Sequence, residues 1–398
     1  MSTATLHPVA RALQDIRAQM NGKYLERQNA IEAAVLAVLA KQHLFIIGPP
    51  GTAKSDMIRD LVDRFIEATY FEILLSRQRP DAAVLGPYNL PELREKGDFH
   101  RKINGFLPTA NYAMLDEIGK MGATLGHDLL SILNERLYHE VNGGRTVKAV
   151  PLYTAFTASN EMITDDNDDS HALWDRLLVR TSVDYLGESS SFAHLLTMTP
   201  STDPVVTVPF VDLRDAIDNE VPNITLPRDA VDMLVKLRQE LRQAEIVPSD
   251  RRWKQSVRVL QASAFLNGRT EVNEDDVYTL RYTLWDTLTQ KDAVERLTLS
   301  VSNPEAEKVM QFIDDLAKIA HGITERRGQA VEARAQYGTE VNGKVKLIAS
   351  DLGKLRQDAL ASGRTTQKID EAVNMLNNVK KSIYVDLLDM DPNMVGNR

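Results

Sequence analysis

"IIGPPGTAKSDMIRDLV", residues 46–62, joins a short apolar run to a turn crowded with Pro and Gly, then to Lys-Ser and an amphipathic stretch. That order predicts strand, tight turn and helix. Gly48-Pro49-Pro50-Gly51-Thr52-Ala53-Lys54-Ser55 follows the spacing G-x-x-x-x-G-K-[ST], with Ala53 standing where the last glycine belongs. Gly48 and Gly51 free the backbone for conformations a side chain would forbid, so amides can turn inward toward phosphate oxygens at the positive end of the following helix. Lys54 would meet the β- and γ-phosphates, and the Ser55 hydroxyl would reach magnesium. Ala53 fits this reading if its backbone angles are ordinarily helical. A plain strand-to-helix turn would need neither the Lys-Ser pair at this register nor two glycines.

A phosphate cradle needs a second half: an acid on a neighbouring strand for the metal, and a group that activates water. "NYAMLDEIGK" supplies both, because the apolar residues Ala113 to Leu115 run into Asp116 and Glu117 about sixty residues after Lys54. Asp116 is placed to organise the metal and Glu117 to polarise the attacking water. "YTAFTASNE" is a third strand ending in a polar residue, Asn160, suited to orienting that water or reading the γ-phosphate. In "ALWDRLLVRTSV", Arg176 and Arg180 stand four residues apart. On one helical turn both guanidinia would share a side, where their delocalised charge suits a γ-phosphate across an interface. A solvated helix face is the plainer account of that pair.

Around these motifs the chain alternates. Helical spacing at Ile31, Val35, Leu36 and Leu39 precedes the strand His43 to Gly48, and further strands are expected at Tyr70 to Leu75, Tyr112 to Leu115, Tyr153 to Ala158 and Leu178 to Val183. Helices are expected around Ile58 to Ile66 and Leu125 to Leu137. The fold class is therefore α/β, a parallel sheet sandwiched by helices over residues 1–190. Two interruptions are a Pro/Gly-bearing stretch from Arg77 to Asn111 and "HEVNGGRTV", residues 139–147, a hairpin by its Asn-Gly step. Residues 191–224 form a junction, 225–300 an all-α domain whose last helix opens on Asn273 with Asp276 in its first turn, and 301–398 a helical arm. In that arm Val309, Phe312, Leu316, Ile319 and Ile323 repeat at near-heptad spacing, and Gly322, Gly328, Gly338 and Gly363 are expected to break it into several helices.

Composition narrows the function classes. The 398 residues are 43% hydrophobic and contain no cysteine, which excludes disulfides and thiolate metal sites and suits a reducing cytoplasm. The first twenty residues lack the pattern of a signal peptide and no apolar run reaches membrane-spanning length, so the expectation is a soluble, intracellular chain. A net charge of −9 argues against a broad nucleic-acid-binding face.

Taken together, "GPPGTAKS", "MLDEIGK", "TASNE", "LWDRLLVR" and "SDRRWKQSVRVLQASAF" resemble, in order, the P-loop, Walker B, sensor 1, arginine-finger and sensor 2 segments of the MoxR family of AAA+ ATPases, and most closely its RavA-like branch. The likeness covers roughly residues 10–290. It implies an AAA+ core followed by an all-α lid, with ATP and Mg2+ as cofactors. It assigns Lys54, Ser55, Asp116 and Glu117 to ATP binding and hydrolysis, Asn160 to sensor 1, and Arg176, with Arg180 as second choice, to a finger entering the neighbouring subunit's site. Arg251, with Arg252 close behind, would swing from the lid toward the γ-phosphate. "GKYLERQNAI" is similar to the adenine-side segment and offers Tyr24 and Arg27. The stretch Arg77 to Asn111 and the hairpin resemble pore-facing insertions that grip a client. The resemblance further implies a hexameric ring, chaperone-like work on a protein complex, and a partner or adaptor carrying a von Willebrand A module. Beyond about residue 300 the branch has a helical arm bearing a small added domain for docking partners, and here only the helical stretch is present.

Other signals fail on their own chemistry. Asp165-x-Asn167-x-Asp169 starts like a calcium loop, yet Ser170 replaces the turn glycine and Arg176 the closing glutamate. The eight histidines never form H-E-x-x-H and no G-x-S-x-G occurs. Trp253 and Trp285 read as lid core rather than a stacking platform for bases. Two readings from other classes stand beside the remodelling motor: a DNA-directed AAA+ motor or loader, and a ring that binds ATP to assemble but barely turns over.

Overall fold

In this computed structural model the described residues are 6–96, 100–121, 123–142, 144–162, 173–199, 203–326, 330–361 and 367–387. Nine strands are described: β1 (Leu44–Ile47), β2 (Phe65–Ile66), β3 (Tyr70–Leu74), β4 (Tyr112–Asp116), β5 (Leu137–Asn142), β6 (Gly144–Ala149), β7 (Thr154–Ser159), β8 (Val179–Ser182) and β9 (Val208–Pro209). Five of them form one parallel sheet in the order β3-β4-β7-β1-β8. All of β1 and β7 is buried, as is β4 up to Leu115, because strands covered on both faces must be apolar without alternation. Helix Gln28–Leu39 buries nearly every residue from Ala30 onward and packs against β1, β7 and β8. Helix Lys54–Asp63 covers β4 and β7, turning Met57, Ile58, Leu61 and Val62 inward.

Register aligns the carboxyl ends that matter. Ile47 pairs with Ser159 and Asp116 with Ala158, so β1, β4 and β7 all deliver their next residues to one edge of the sheet. Open parallel sheets bind ligands at that edge. Two boundaries differ from expectation. The helix after Lys54 stops at Asp63, because Phe65 and Ile66 turn away to pair with Val208 and Pro209. The hairpin is longer than its Asn-Gly signal suggests, running from Leu137 to Ala149 with Leu137 opposite Ala149.

Helices Arg228–Gln243 and Asp250–Leu266 follow. Asn273 and Asp276 then form a capping box, each satisfying the other's backbone, but the helix they start is short and tightens into the 3-10 turn Tyr278–Tyr282. Trp285 is fully buried there, as expected for core.

The chain divides into two units, Met1–Glu295 and Arg296–Arg398. In the second, helices Pro304–Arg326, Val331–Ala361 and Gln367–Ser382 enclose Val309, Leu316, Ile319, Ile323, Val345, Leu352, Ala372 and Leu376. Gly322 and Gly338 do not break helices, contrary to their sequence signal; both lie inside them. At Gly322 the reason is packing, since a β-carbon there would fall 2.1 Å from the Tyr337 hydroxyl. Gly328 and Gly363 lie outside the described residues.

Candidate active site

The loop 48–53 leaves β1 and closes over the start of helix Lys54–Asp63. Gly51 has φ +78°, a left-handed value that suits glycine. Gly48 is needed for a different reason: a β-carbon on it would sit 2.2 Å from the Val183 carbonyl oxygen. Ala53 overturns its expectation, with φ 61° and ψ 27°, left-handed rather than helical, so the alanine accepts the conformation its missing glycine would have adopted freely. Thr52 Oγ1 donates to the Pro49 carbonyl at 2.8 Å and Arg27 Nε to the Thr52 carbonyl at 3.3 Å, which pins the loop from inside. Pro50 stands exposed at its crest.

Lys54 is 8% exposed, and its Nζ donates to the carbonyls of Gly48 (2.7 Å) and Pro49 (2.9 Å) and to Asn160 Oδ1 (3.2 Å). Burial lowers its pKa, with Asp116 and Glu117 pulling the other way. Ser55 Oγ donates to Asp116 Oδ2 at 2.8 Å. The other carboxylate oxygen, Oδ1, accepts the Glu117 amide at 2.9 Å. Asn160 Nδ2 donates to Glu117 Oε1 at 2.6 Å. Five residues from three strand ends therefore meet at one edge: Lys54, Ser55, Asp116, Glu117 and Asn160.

Beside them lies a cleft of about 380 Å³ lined by Tyr24, Arg27, Gly51, Thr52, Ala53, Tyr185, Phe192 and Leu195, among others. The Tyr24 hydroxyl donates to Asp56 Oδ2 at 3.1 Å, and burial, then Asp60 and Asp56, push its pKa up. Arg27 Nη2 donates to the Asp184 carbonyl at 2.5 Å, tying the segment after β8 to the loop. Phe192 and Leu195 fall in the stretch expected to be a junction, and Tyr185, at the end of the expected α/β domain, carries no sequence signal of its own. Helix Ser189–Thr197 buries no residue, so its apolar side carried no burial pattern to read.

The four arginines separate into two groups. Arg176 and Arg251 line a second cavity of about 300 Å³ with Lys41, His43, Arg136 and Arg258. Partial burial lowers the Arg176 pKa, and the neighbouring Arg251 adds to it. Arg251 Nη2 donates to Asn134 Oδ1 at 2.5 Å. Lys41 to His43 immediately precede β1, so this cavity borders the amino end of the strand whose carboxyl end carries the phosphate loop. Arg180 and Arg252 are interior. Arg180 does not share a helical turn with Arg176, because the helix ends at Arg176 and Arg180 belongs to β8. It is 0% exposed, stacks 3.7 Å over the Trp174 ring and donates to the carbonyls of Leu177, Trp174 and Trp285 and to Asp286. Arg252, 2% exposed, donates to the Thr283 carbonyl at 3.0 Å and faces Asp286 at 3.4 Å. Asp165 to Ser170 of the rejected calcium loop lie outside the described residues, and among those described no helix is long and apolar enough to cross a membrane.

Comparison with known proteins agrees with this arrangement. Residues 11–203 match the family model described as the MoxR domain in MoxR-vWA-beta-propeller ternary systems, and residues 229–298 match an AAA lid domain. Two uncharacterised proteins of Methanocaldococcus jannaschii are similar over nearly the whole chain. One is 32% identical across 92% of this chain and 95% of its own, and the other 30% identical across 93% and 98%. A structural protein of Acidianus two-tailed virus is 25% identical over 53% of this chain and 36% of its own length. In fold, the crystal structure of a proposed ATPase from Cytophaga hutchinsonii aligns with TM-score 0.55 at 18% identity, over 73% of this chain and 93% of that one. The MoxR and AAA lid matches, in a chain similar nearly end to end to the archaeal relatives, make it a member of the MoxR family of AAA+ ATPases.

Proposed function

We propose that the protein is an ATP-driven remodelling motor whose catalytic site is divided between adjacent protomers of a closed ring, hexameric by family likeness. One observation carries this reading. The five residues suited to triphosphate chemistry meet at the carboxyl edge of the sheet, whereas Arg176 and Arg251 face a cavity bordering the amino end of β1. This separation supports a finger supplied by a second copy set head to tail rather than by the same protomer.

In this reading Lys54 carries the positive charge toward the β- and γ-phosphates, and the 48–53 loop wraps them. Ser55 and Asp116 fit magnesium, because their hydroxyl and carboxylate oxygens lie 2.8 Å apart and both are the hard donors that ion prefers. When bound, the ion would neutralise developing phosphate charge. Glu117 accepts the proton of the attacking water, Asn160 orients that water, and Arg176 of the adjoining protomer stabilises the transferred charge, with Arg251 beside it. Arg180 and Arg252 instead brace β8 against the lid through Asp286. The cleft beside Tyr24 and Arg27 takes the adenine.

Residues 1–190 and 225–300 act as core and lid across the 191–224 junction, with 301–398 as a helical arm. The stretch Arg77 to Asn111 and the hairpin would face the pore and grip the client. The matched family description and the RavA-like motifs both favour a partner with a von Willebrand A module. The cysteine-free composition supports a cytoplasmic setting. Turnover and nucleotide-binding assays test the core of this proposal. Lys54→Ala should weaken nucleotide binding, and Glu117→Gln should bind but hydrolyse about 10²-fold more slowly. Parent-like hydrolysis by both would refute it. Similarity to a viral structural protein favours one second reading, an ATP-assembled ring with little turnover, which predicts that Glu117→Gln changes nothing measurable because the parent is already slow.

A further inference from the structure

We propose that the cavity at the amino end of β1 is a second anion site, centred on Arg136, that takes free inorganic phosphate in the nucleotide-free protomer. Its effect on turnover rests on the reading of Arg176 as the finger; its binding of phosphate does not.

Five permanent cations line this cavity, Lys41, Arg136, Arg176, Arg251 and Arg258, and among the described residues no carboxylate does. Acids outside the lining adjoin four of them. Asp218 pairs with Lys41 at 2.8 Å and supports the charge of Arg258, Asp175 lies 3.5 Å from Arg251, and Asp175 and Glu135 support Arg176. Arg136 is the exception. Burial alone lowers its pKa, to about 10, with no acid among the described residues pulling it back, so it is still a cation at neutral pH. Its Nη1 donates to the Leu133 carbonyl and its Nη2 to the carbonyls of Lys41 and Tyr153, both at 3.3 Å. Its Nε is buried with no hydrogen-bond partner among the described residues. His43 brings no counter-charge: Nδ1 accepts the Ala155 amide at 2.9 Å, so the proton sits on Nε2, which donates to the same Leu133 carbonyl at 2.7 Å. A buried cation without an acid is costly, and a guest anion offsets that cost.

The backbone presents these side chains at some strain. Arg136 stands between helix Ala123–Glu135 and β5 with φ 58°, and Lys41 follows helix Gln28–Leu39 with φ 55°. Glycine suits such left-handed positions best, yet each carries a long cation. At about 300 Å³ the cavity admits a tetrahedral oxyanion with water, and guanidinium forks match phosphate oxygens. Phosphate is also what ATP hydrolysis releases, and its double charge suits several cations better than the single charge of a carboxylate. Held there, it engages Arg176 and Arg251 too, and so withholds the finger from a neighbouring copy.

The test is calorimetric titration of sodium phosphate, at constant ionic strength and without nucleotide, into the full chain as Lys54→Met, which weakens the phosphate loop, and into that chain with Arg136→Met or Arg258→Met added. The site predicts saturable binding by Lys54→Met that weakens at least about tenfold in each double variant, the scale of one lost guanidinium–phosphate contact. If Arg136→Met does not fold, Arg258→Met carries the comparison. Absence of binding, or equal binding in all three chains, overturns the site. In the parent, added phosphate should lower kcat for ATP, and Arg258→Met should resist that inhibition; phosphate that binds yet leaves kcat unchanged overturns the link to the finger. Parent-like hydrolysis by Arg176→Ala would refute the finger itself and leave the titration result standing.

Discussion

Gly48 packs directly on the backbone of Val183, so that a β-carbon added to it would lie 2.2 Å from that residue's carbonyl oxygen and 2.6 Å from its Cγ2. The carbonyl cannot move without disturbing β8, whose Ser182 pairs with Ile47 of β1. Gly48→Ala should therefore cost about 3 kcal/mol, the upper end of ordinary overpacking, because the structure it meets does not yield. Gly51 meets nothing within 4 Å and needs only its left-handed φ, so Gly51→Ala should cost about 1–2 kcal/mol. Chemical denaturation of the two variants checks the order, which would reverse if both glycines served backbone freedom alone.

Ala53 holds a left-handed conformation with a methyl group attached. Ala53→Gly should remove that cost, offset in part by the greater freedom of glycine when unfolded, for a net gain of up to about 1 kcal/mol. Ala53→Val should lose stability and nucleotide affinity together, because a β-branched residue resists this region most. Thermal melts with and without nucleotide would show it.

Lys54 is buried among carbonyls, and burial lowers its pKa. A folded state that disfavours the cation is destabilised by it at neutral pH, so nucleotide-free Lys54→Met should melt no lower than the parent. The same variant should gain nothing from added nucleotide, whereas the parent should be stabilised by it. Melting curves at pH 7 separate this trade from a purely structural lysine, whose loss would lower the melt.

Asp286 joins the two interior arginines, Arg180 at 2.8 Å and Arg252 at 3.4 Å. Burial raises its pKa, but Arg252 and Arg180 outweigh that and leave it below the usual aspartate value. A carboxylate depressed on folding stabilises above its unfolded pKa of about 3.9 and loses that contribution as pH falls through its folded value. Asp286→Asn should thus destabilise by about 1–2 kcal/mol at pH 7, a figure discounted because the carboxylate is 45% exposed. The gap from the parent should close below about pH 4. A gap independent of pH would mean that packing, not charge, is lost.

The sheet was legible in sequence because parallel strands advertise themselves as short apolar runs between turns, and all five expected runs pair as strands. The cradle was legible because its chemistry constrains spacing. What escaped depends on tertiary geometry. Ala53 takes a left-handed turn that the loop's closure imposes on whatever residue stands there. The fate of Arg180 turned on where a helix gives way to β8, and four-residue spacing alone cannot locate that boundary. Phe192 is 55% exposed on a helix with no buried face, so no periodicity distinguished it from a solvated segment. Gly322 looked like a helix breaker because the approach of Tyr337 is invisible along the chain.

The claim on which the account turns is that a site at Lys54 is completed by Arg176 of another copy. The most direct measurement mixes Arg176→Ala protomers, which keep the phosphate loop, with Lys54→Met protomers, which keep the finger. Each alone should hydrolyse ATP at least about 10²-fold more slowly than the parent. An equal mixture should recover about one quarter of parental turnover, because random head-to-tail assembly makes one interface in four intact. A mixture as inactive as its components, under conditions where the two assemble together, would contradict the divided site.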